Sequence, residues 1–443
     1  MDIKKLLLLG FTCLVIGSTH AQTPIEADLT IKKHLTDNQL LDLVQKQTFR
    51  YFWDYAHPTS GMARERSHLN PLPINNVVTS GGTGFGIMAT IVAADRKFIS
   101  RKEAAAHTLK IVDFLLKADR FHGAYSHWLN GETGKVIPFS KKDDGADIVE
   151  TSYLFQGLLT AQQYYKANNP VEKKLRVKIQ QLWDGVEWDW FTRNQNVLYW
   201  HWSPDYNWDM NMPIKGWNEC LITYVMAASS NTHAIGKSVY TEGWSKSNTF
   251  INGKTYYNNL TLPLGPDYGG PLFWAQYSFM GLNPKGLKDQ YADYWQQAIN
   301  HTLINRRYCI ENPLKYKGYG DNCWGLTASD SWKGYSGHSP TNDLGVITPT
   351  AALSAFPYTP QYSMKALRHF YEDLGPQIWG EYGFVDAFSE QHDWYAKSYL
   401  AIDQGPIIVM IENYRSGLLW KLFMGNPDVK KGLKRLGFTS TGL

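Results

Sequence analysis

Along this chain, apolar positions recur with the spacing of helices far more often than with the alternation of strands. Residues 38–55 (NQLLDLVQKQTFRYFWDY) put Leu40, Leu41, Val44, Thr48, Tyr51 and Phe52 on one stripe. Residues 101–117 repeat the pattern with Ala105, Leu109, Val112, Phe114 and Leu116. Both predict helices with one face in solvent. Two further stretches, ETSYLFQGLLTA (150–161) and NECLITYVMAAS (218–229), are apolar or small nearly all round, the pattern of helices enclosed by other helices.

The enclosed stretches share a kind of beginning. Each follows a Gly-rich or Gly-Pro turn: TSGGTGFGIMATIVAA at 79, DDGADIVETSYLF at 143, IKGWNECLITYV at 214, DYGGPLFWAQYSF at 267, GVITPTAALSAF at 345 and AIDQGPIIVMIENY at 401. An amphipathic helix separates most neighbours. Six such units predict six helical hairpins closed into an all-α (α/α)6 barrel, inner helices forming the wall and outer helices the coat. One barrel accounts for residues 22–443 as a single domain, with no Pro/Ser/Gly linker to divide them. Long polar, aromatic loops at 199–217, 232–270 and 316–343 lead into inner-helix starts, where lids and binding walls are expected.

Composition narrows the ligand. Seventeen Trp and 27 Tyr supply flat apolar faces with polar edges, suited either to an aromatic core or to stacking on sugar rings. The net charge is +4, without a basic stripe, which argues against a nucleic-acid partner and favours a neutral oligo- or polysaccharide. Residues 1–21 have the form of a secretory signal peptide: Lys4-Lys5, then LLLLGFTCLVIG, then a cleavage region ending at Ala21. A monomer in the periplasm, or released from the cell, is expected, and no later stretch reaches the length of a membrane span. Beyond the signal, Cys220, Cys309 and Cys323 stand at no metal-ligand spacing, so neither a zinc site nor a disulfide scaffold is indicated. A Cys309–Cys323 bridge stays open, and no metal or cofactor is expected.

Acidic residues at three inner-helix starts are the candidates for chemistry. Glu219 is expected in the first turn of its helix, where the unpaired N–H groups stabilise an acid. Trp200, Trp202, Trp208 and Trp217 precede it, and desolvation by such rings would raise its pKa toward that of a general acid. The DDGAD cluster offers Asp143, Asp144 and Asp147, one of them explained by capping with Glu150 as a capping-box partner. Asp144 and Asp147 are expected to face a cavity. Asp403 sits where a cap would, with Pro406 near the first helical position. Two carboxyls, one protonated and one ionised, are the minimum for glycosidic hydrolysis. Trp202, Tyr206, Trp208, Trp217, Trp394, Gln404 and Arg64 are the candidate sugar-binding residues, with Arg66 beside them in MARERSHLNP. TSGGTGFG lacks the preceding strand and the following Lys-Ser/Thr of a phosphate loop, and no Gly-x-Ser-x-Gly elbow occurs.

The segments DDGADIVETSYLFQGLL, GWNEC and VDAFSEQHDWYAKSYLAIDQGPIIVMIENYRSG together resemble glycoside hydrolase family 144, a bacterial family long labelled as glucoamylase-like. The resemblance covers essentially the whole chain after the signal. It implies an (α/α)6 barrel that cleaves β-1,2-glucan with inversion, internally or by releasing sophorose from a chain end. By position, Glu219 matches the family's essential glutamate and Asp403 its essential aspartate, and Asp144 and Asp147 match an acidic pair. The implied roles are proton donation by Glu219, water activation by Asp403, and orientation of hydroxyls or water by the pair. Two other readings compete: a glucoamylase-like exo-hydrolase on other glucans, and a non-catalytic glycan-binding protein using the same tryptophans.

Overall fold

Capping residues fix where the first outer helices begin. Thr36 and Gln39 close a capping box at the start of α1 (Asp37–Trp53), and Ser100 and Glu103 do so for α3 (Arg101–Leu115). Helix α1 buries the whole stripe predicted for it, whereas α3 buries Ala105 and Val112 and leaves Leu109, Phe114 and the cap residue Leu116 half-buried. The computed structural model describes residues 23–68 and 76–443, so the signal-peptide reading falls outside the described residues. The remaining helices are α2 (Ser80–Asp95), α4 (Ile148–Tyr164), α5 (Pro170–Asp184), α6 (Leu221–Ser229), α7 (Tyr294–Glu311) and α8 (Pro349–Leu353). They are followed by α9 (Pro360–Arg368), α10 (Gly375–Ile378), α11 (Ala401–Arg415), α12 (Leu418–Met424) and α13 (Pro427–Leu436).

The enclosed stretches are enclosed. Every residue of α6 and α8 is buried, as is α2 from Ser80 to Ala93 and α4 from Ile148 to Ala161. Helix α2 packs on α4, α11 and α1, α4 also touches α6 and α12, and α8 lies against α11. Glycine makes the tightest of these contacts. A Cβ on Gly84 would stand 2.1 Å from the carbonyl oxygen of Tyr153, and one on Gly157 would stand 2.1 Å from that of Gly84. The glycines of TSGGTGFG therefore serve helix packing in the first turns of α2, not a phosphate.

Two expectations change, and the open question of a Cys309–Cys323 bridge is answered. The stretch DYGGPLFWAQYSF forms short 3-10 turns, Asp267–Gly269, Leu272–Ala275 and Tyr277–Phe279, in place of an α-helix. Gly269 (φ +92°) and Gly270 (φ +79°) take a left-handed backbone there, and a Cβ on Gly269 would meet the His301 ring at 2.4 Å. Strand pairs of two or three residues punctuate the loops, so the chain is helix-rich, not purely α. Cys220, Cys309 and Cys323 are buried free thiols, so Cys309 and Cys323 are not bridged. Among the described residues, no helix is long and apolar enough to cross a membrane.

One strand pair matters for the site. Arg66–His68 runs antiparallel to Ser398–Leu400, placing Arg66 opposite Leu400, and the Ala401 N–H donates to the Glu65 carbonyl at 3.0 Å. The start of α11 is thereby pinned beside Glu65 and Arg66.

Candidate functional site

A cavity of about 380 Å³ opens over the starts of α4, α6 and α11. Glu65, Glu150 and Glu219 give it carboxyls. Arg66 and His127 give it positive charge, and Tyr153, Trp200, Phe273, Tyr277, Phe139 and Tyr335 give it aromatic walls. Phe139 and Tyr335 are exposed rings at its edge.

Glu219 lies just before α6, not in its first turn: Cys220 is the cap residue, and its N–H donates to Oδ1 of Asn218 at 3.0 Å. The Ser278 hydroxyl donates to the Glu219 carbonyl oxygen at 2.6 Å, fixing the turn from the opposite wall. Burial, with the negative charges of Asp147 and Glu150, pushes the Glu219 carboxyl up to about 7. A carboxyl so placed is half protonated near neutrality and can give up a proton.

Of the four tryptophans before Glu219, Trp200 alone lines the cavity. Trp217 is 2% exposed and stacks among Trp244, Tyr294 and Phe250 in the core. Trp202 and Trp208 pack on Trp190, and Arg193 lies over Trp208. Tyr206 belongs to the same loop, with Lys141 over its ring. Trp202, Tyr206 and Trp208 are half-buried on a loop that packs largely on itself, and Trp200 is the ring of that loop that reaches the cavity. Trp394 sits in a strand pair with Ser389 opposite it. The Gln404 amide donates to the Phe384 carbonyl oxygen at 2.8 Å. Arg64 donates to the Tyr55 carbonyl and lies over that ring. None of Trp394, Gln404 and Arg64 lines the cavity.

Asp147 is the cap of α4, its Oδ1 accepting from the N–H groups of Val149 and Glu150 at 2.9 Å each. Its Oδ2 faces two imidazoles, Nδ1 of His127 at 3.4 Å and Nε2 of His201 at 3.6 Å. Nε2 of His201 also reaches Oδ2 of Asp143 at 3.3 Å. Burial opposes charge on these imidazoles, but the surrounding carboxylates win and raise both to about 9. Burial likewise opposes the Asp147 charge, and hydrogen bonds from the two imidazoles overcome it and hold its carboxyl well below the usual range. The ligand atoms of His127, Asp143 and Asp147 lie within 4.8 Å of one another, a spacing that could hold a cation. The imidazolium charge already occupies that electrostatic role. Neither Asp144 nor Asp147 is among the residues lining the cavity, and one oxygen of Asp144 is buried without a hydrogen-bond partner.

Glu150 was legible only as a capping-box partner, yet its carboxyl leaves Asp147 and accepts from the Gly81 N–H at 2.8 Å and the Thr79 hydroxyl at 3.3 Å. It lines the cavity, and burial followed by the Asp147 charge raises it. Asp403 is the third residue of α11, with Leu400 at the cap, and Pro406 falls inside the helix. Asp403 therefore caps nothing. Its Oδ1 accepts from the Tyr277 hydroxyl at 3.4 Å, so it stands behind a ring that forms the cavity wall. Beside it lies Asp386, whose Oδ2 accepts from the Asp330 N–H at 2.7 Å. Asp330 takes a two-pronged contact from Arg66 at 3.0 and 3.1 Å, and Arg66 also reaches Glu65 at 2.9 Å. Glu65, Asp330, Asp386, His127 and Tyr277 carry no local motif. Only the strand pairing and the 3-10 turns bring them here.

A helix-rich protein with acids gathered at helix starts, in an aromatic-walled cavity, is the class that fold and site define. A family model described as "Putative glucoamylase" matches residues 211–427. The exo beta-1,2-glucooligosaccharide sophorohydrolase (non-reducing end) of Parabacteroides distasonis is 46% identical over 91% of this chain, which spans 58% of that relative's length. The solved endo-beta-1,2-glucanase of Chitinophaga pinensis, in complex with sophorotriose and glucose, is 57% identical. It covers 93% of this chain and is itself wholly covered, with a TM-score of 0.90. A solved glucoamylase-type protein of Bacteroides uniformis is 60% identical, covering 92% of this chain and 99% of its own, also with a TM-score of 0.90. The chain belongs to this glucoamylase-like family, glycoside hydrolase family 144.

Proposed function

We propose that the protein hydrolyses β-1,2-glucan by an inverting mechanism with Glu219 as general acid. The observation that carries this reading is the Glu219 carboxyl in the cavity wall, held up at about 7 by burial and two neighbouring carboxylates. The names of the Parabacteroides and Chitinophaga relatives support the linkage.

In the step so assigned, Glu219 gives its proton to the glycosidic oxygen as the C1–O bond breaks. Water adds to C1 from the opposite face and loses its proton to the carboxylate side of the cavity, where Asp403 stands behind Tyr277. Asp147 and Glu150 act on Glu219 through their charge, which favours its protonated form. The six enclosed segments, α2, α4, α6, the 3-10 turns at 272–279, α8 and α11, support a six-hairpin (α/α)6 barrel. The pattern of residues 1–21 supports export to the periplasm.

The test is product analysis. Chromatography after incubation with linear β-1,2-glucan should show sophorose or a ladder of β-1,2-oligosaccharides, with starch left intact. Glu219→Gln should lose on the order of 10²-fold or more in kcat and keep its affinity for the oligosaccharide by calorimetry. Near-normal turnover in that variant removes Glu219 from the mechanism, and binding by the wild type without any product favours the glycan-binding reading.

A further inference from the structure

Two buried carboxyls meet behind the cavity wall. Asp386 and Asp403 are each 3% exposed. One oxygen of each is accounted for, since Oδ2 of Asp386 accepts from the Asp330 N–H and Oδ1 of Asp403 accepts from the Tyr277 hydroxyl. The other oxygen of each, Oδ1 of Asp386 and Oδ2 of Asp403, is buried with no donor, while the two side chains lie within hydrogen-bonding reach of one another. Two acceptors cannot bond without a hydrogen between them.

The local charge points the same way. Arg66 is already paired with Glu65 and Asp330, and its charge also acts on Asp386. Among the described residues, Tyr277 and Tyr335 also face the pair and bring no positive charge, and His338, against the Asp330 backbone, is kept neutral by burial, which pushes it down to about 4. Full ionisation of the pair would leave two adjacent carboxylates in a buried site beside a guanidinium that two other carboxylates already neutralise.

We infer that Asp386 and Asp403 form a dyad holding a single proton between Oδ1 of Asp386 and Oδ2 of Asp403, with Asp386 as the positioning residue for Asp403. Burial, then the partner's charge, raises Asp403 well above the ordinary carboxyl range, and burial with the Asp330 charge raises Asp386 to about 7. The two titrate as a unit. In the hydrolysis proposed above, on which this role rests, the proton released by the attacking water would go to the ionised member. The dyad would then be fully protonated and Glu219 ionised, and exchange with solvent would restore both.

The proton count is measured without substrate, so its failure is distinct from failure of the hydrolase reading. Folded-state carboxyls raised in this way are protonated in both states at acid pH. The folded protein loses stability as pH climbs from about 4 through about 7. Asp386→Asn supplies an amide donor to Asp403 and removes the need for the shared proton. The fall in Tm over that range should shrink by about half or more in Asp386→Asn, similarly in Asp403→Asn, and no further in the double variant. In the wild type, infrared spectroscopy at neutral pH should show protonated-carboxyl absorption from this pair in addition to that of Glu219 and Glu150, and Asp386→Asn should remove the pair's component alone. An unchanged slope, or protonated-carboxyl absorption identical in wild type and variant, overturns the dyad. If either variant fails to fold, the other and the wild-type spectrum decide. The variant's kcat should fall with KM nearly unchanged and its pH profile displaced, which a purely structural role would not produce.

Discussion

Asp147 and His201 hold each other in opposite charge states, Nε2 of the imidazole lying 3.6 Å from Oδ2 of the carboxylate at the cap of α4. Both are buried. His201→Leu therefore leaves Asp143 without its imidazole and Asp147 with His127 alone. A loss of about 3 kcal/mol in urea unfolding is expected near neutral pH. The sign with pH is fixed by the His201 shift to about 9. Its contribution is complete below the unfolded-state value of about 6.5 and fades as pH rises through about 9. The gap between wild type and variant should close on the alkaline side.

Activity should fail on the alkaline side for a different reason. A general acid works only while protonated, and Glu219 stands at about 7. A profile of kcat/KM on a β-1,2-oligosaccharide should decline above about pH 7. A flat profile to about pH 9 would assign the proton to another group.

Trp217 separates core from binding surface. Its ring lies at 5.8 Å from both Trp244 and Tyr294 and lines no part of the cavity. Trp217→Ala should cost about 3–5 kcal/mol in unfolding free energy. Trp217→Phe should lower Tm while oligosaccharide affinity by calorimetry stays within about twofold. Loss of affinity with unchanged stability would return this ring to the binding surface.

Gly84→Ala should separate α2 from α4, because the new methyl would overlap the Tyr153 carbonyl oxygen. A cost of at least about 2 kcal/mol is expected by denaturant titration. Gly320→Ala, with nothing within 4 Å, is the neutral control.

The inner helices were readable because burial on all sides leaves an unbroken apolar run, as in α6. Glu219 and Asp403 could be singled out because acids at such helix starts are conspicuous. Their exact positions were not, since Cys220 and Leu400 take the cap places despite being poor cap residues. A tryptophan-rich sequence does not distinguish a ring that lines the cavity, Trp200, from rings that pack on other rings, as Trp202, Trp208 and Trp217 do. Asp330 and Asp386 were beyond reach from sequence, because their partners come from a distant strand pair and from each other.

The junction of Arg66–His68 with Ser398–Leu400 has a consequence for biosynthesis. Glu65 and Arg66 leave the ribosome well before Ser398–Leu400, the backbone that holds them. A nascent chain that has not yet reached this strand lacks the pairing that seats Glu65 and Arg66 beside the start of α11, and lacks Asp403 as well. Formation of this long-range closure is also the step most exposed to slow folding.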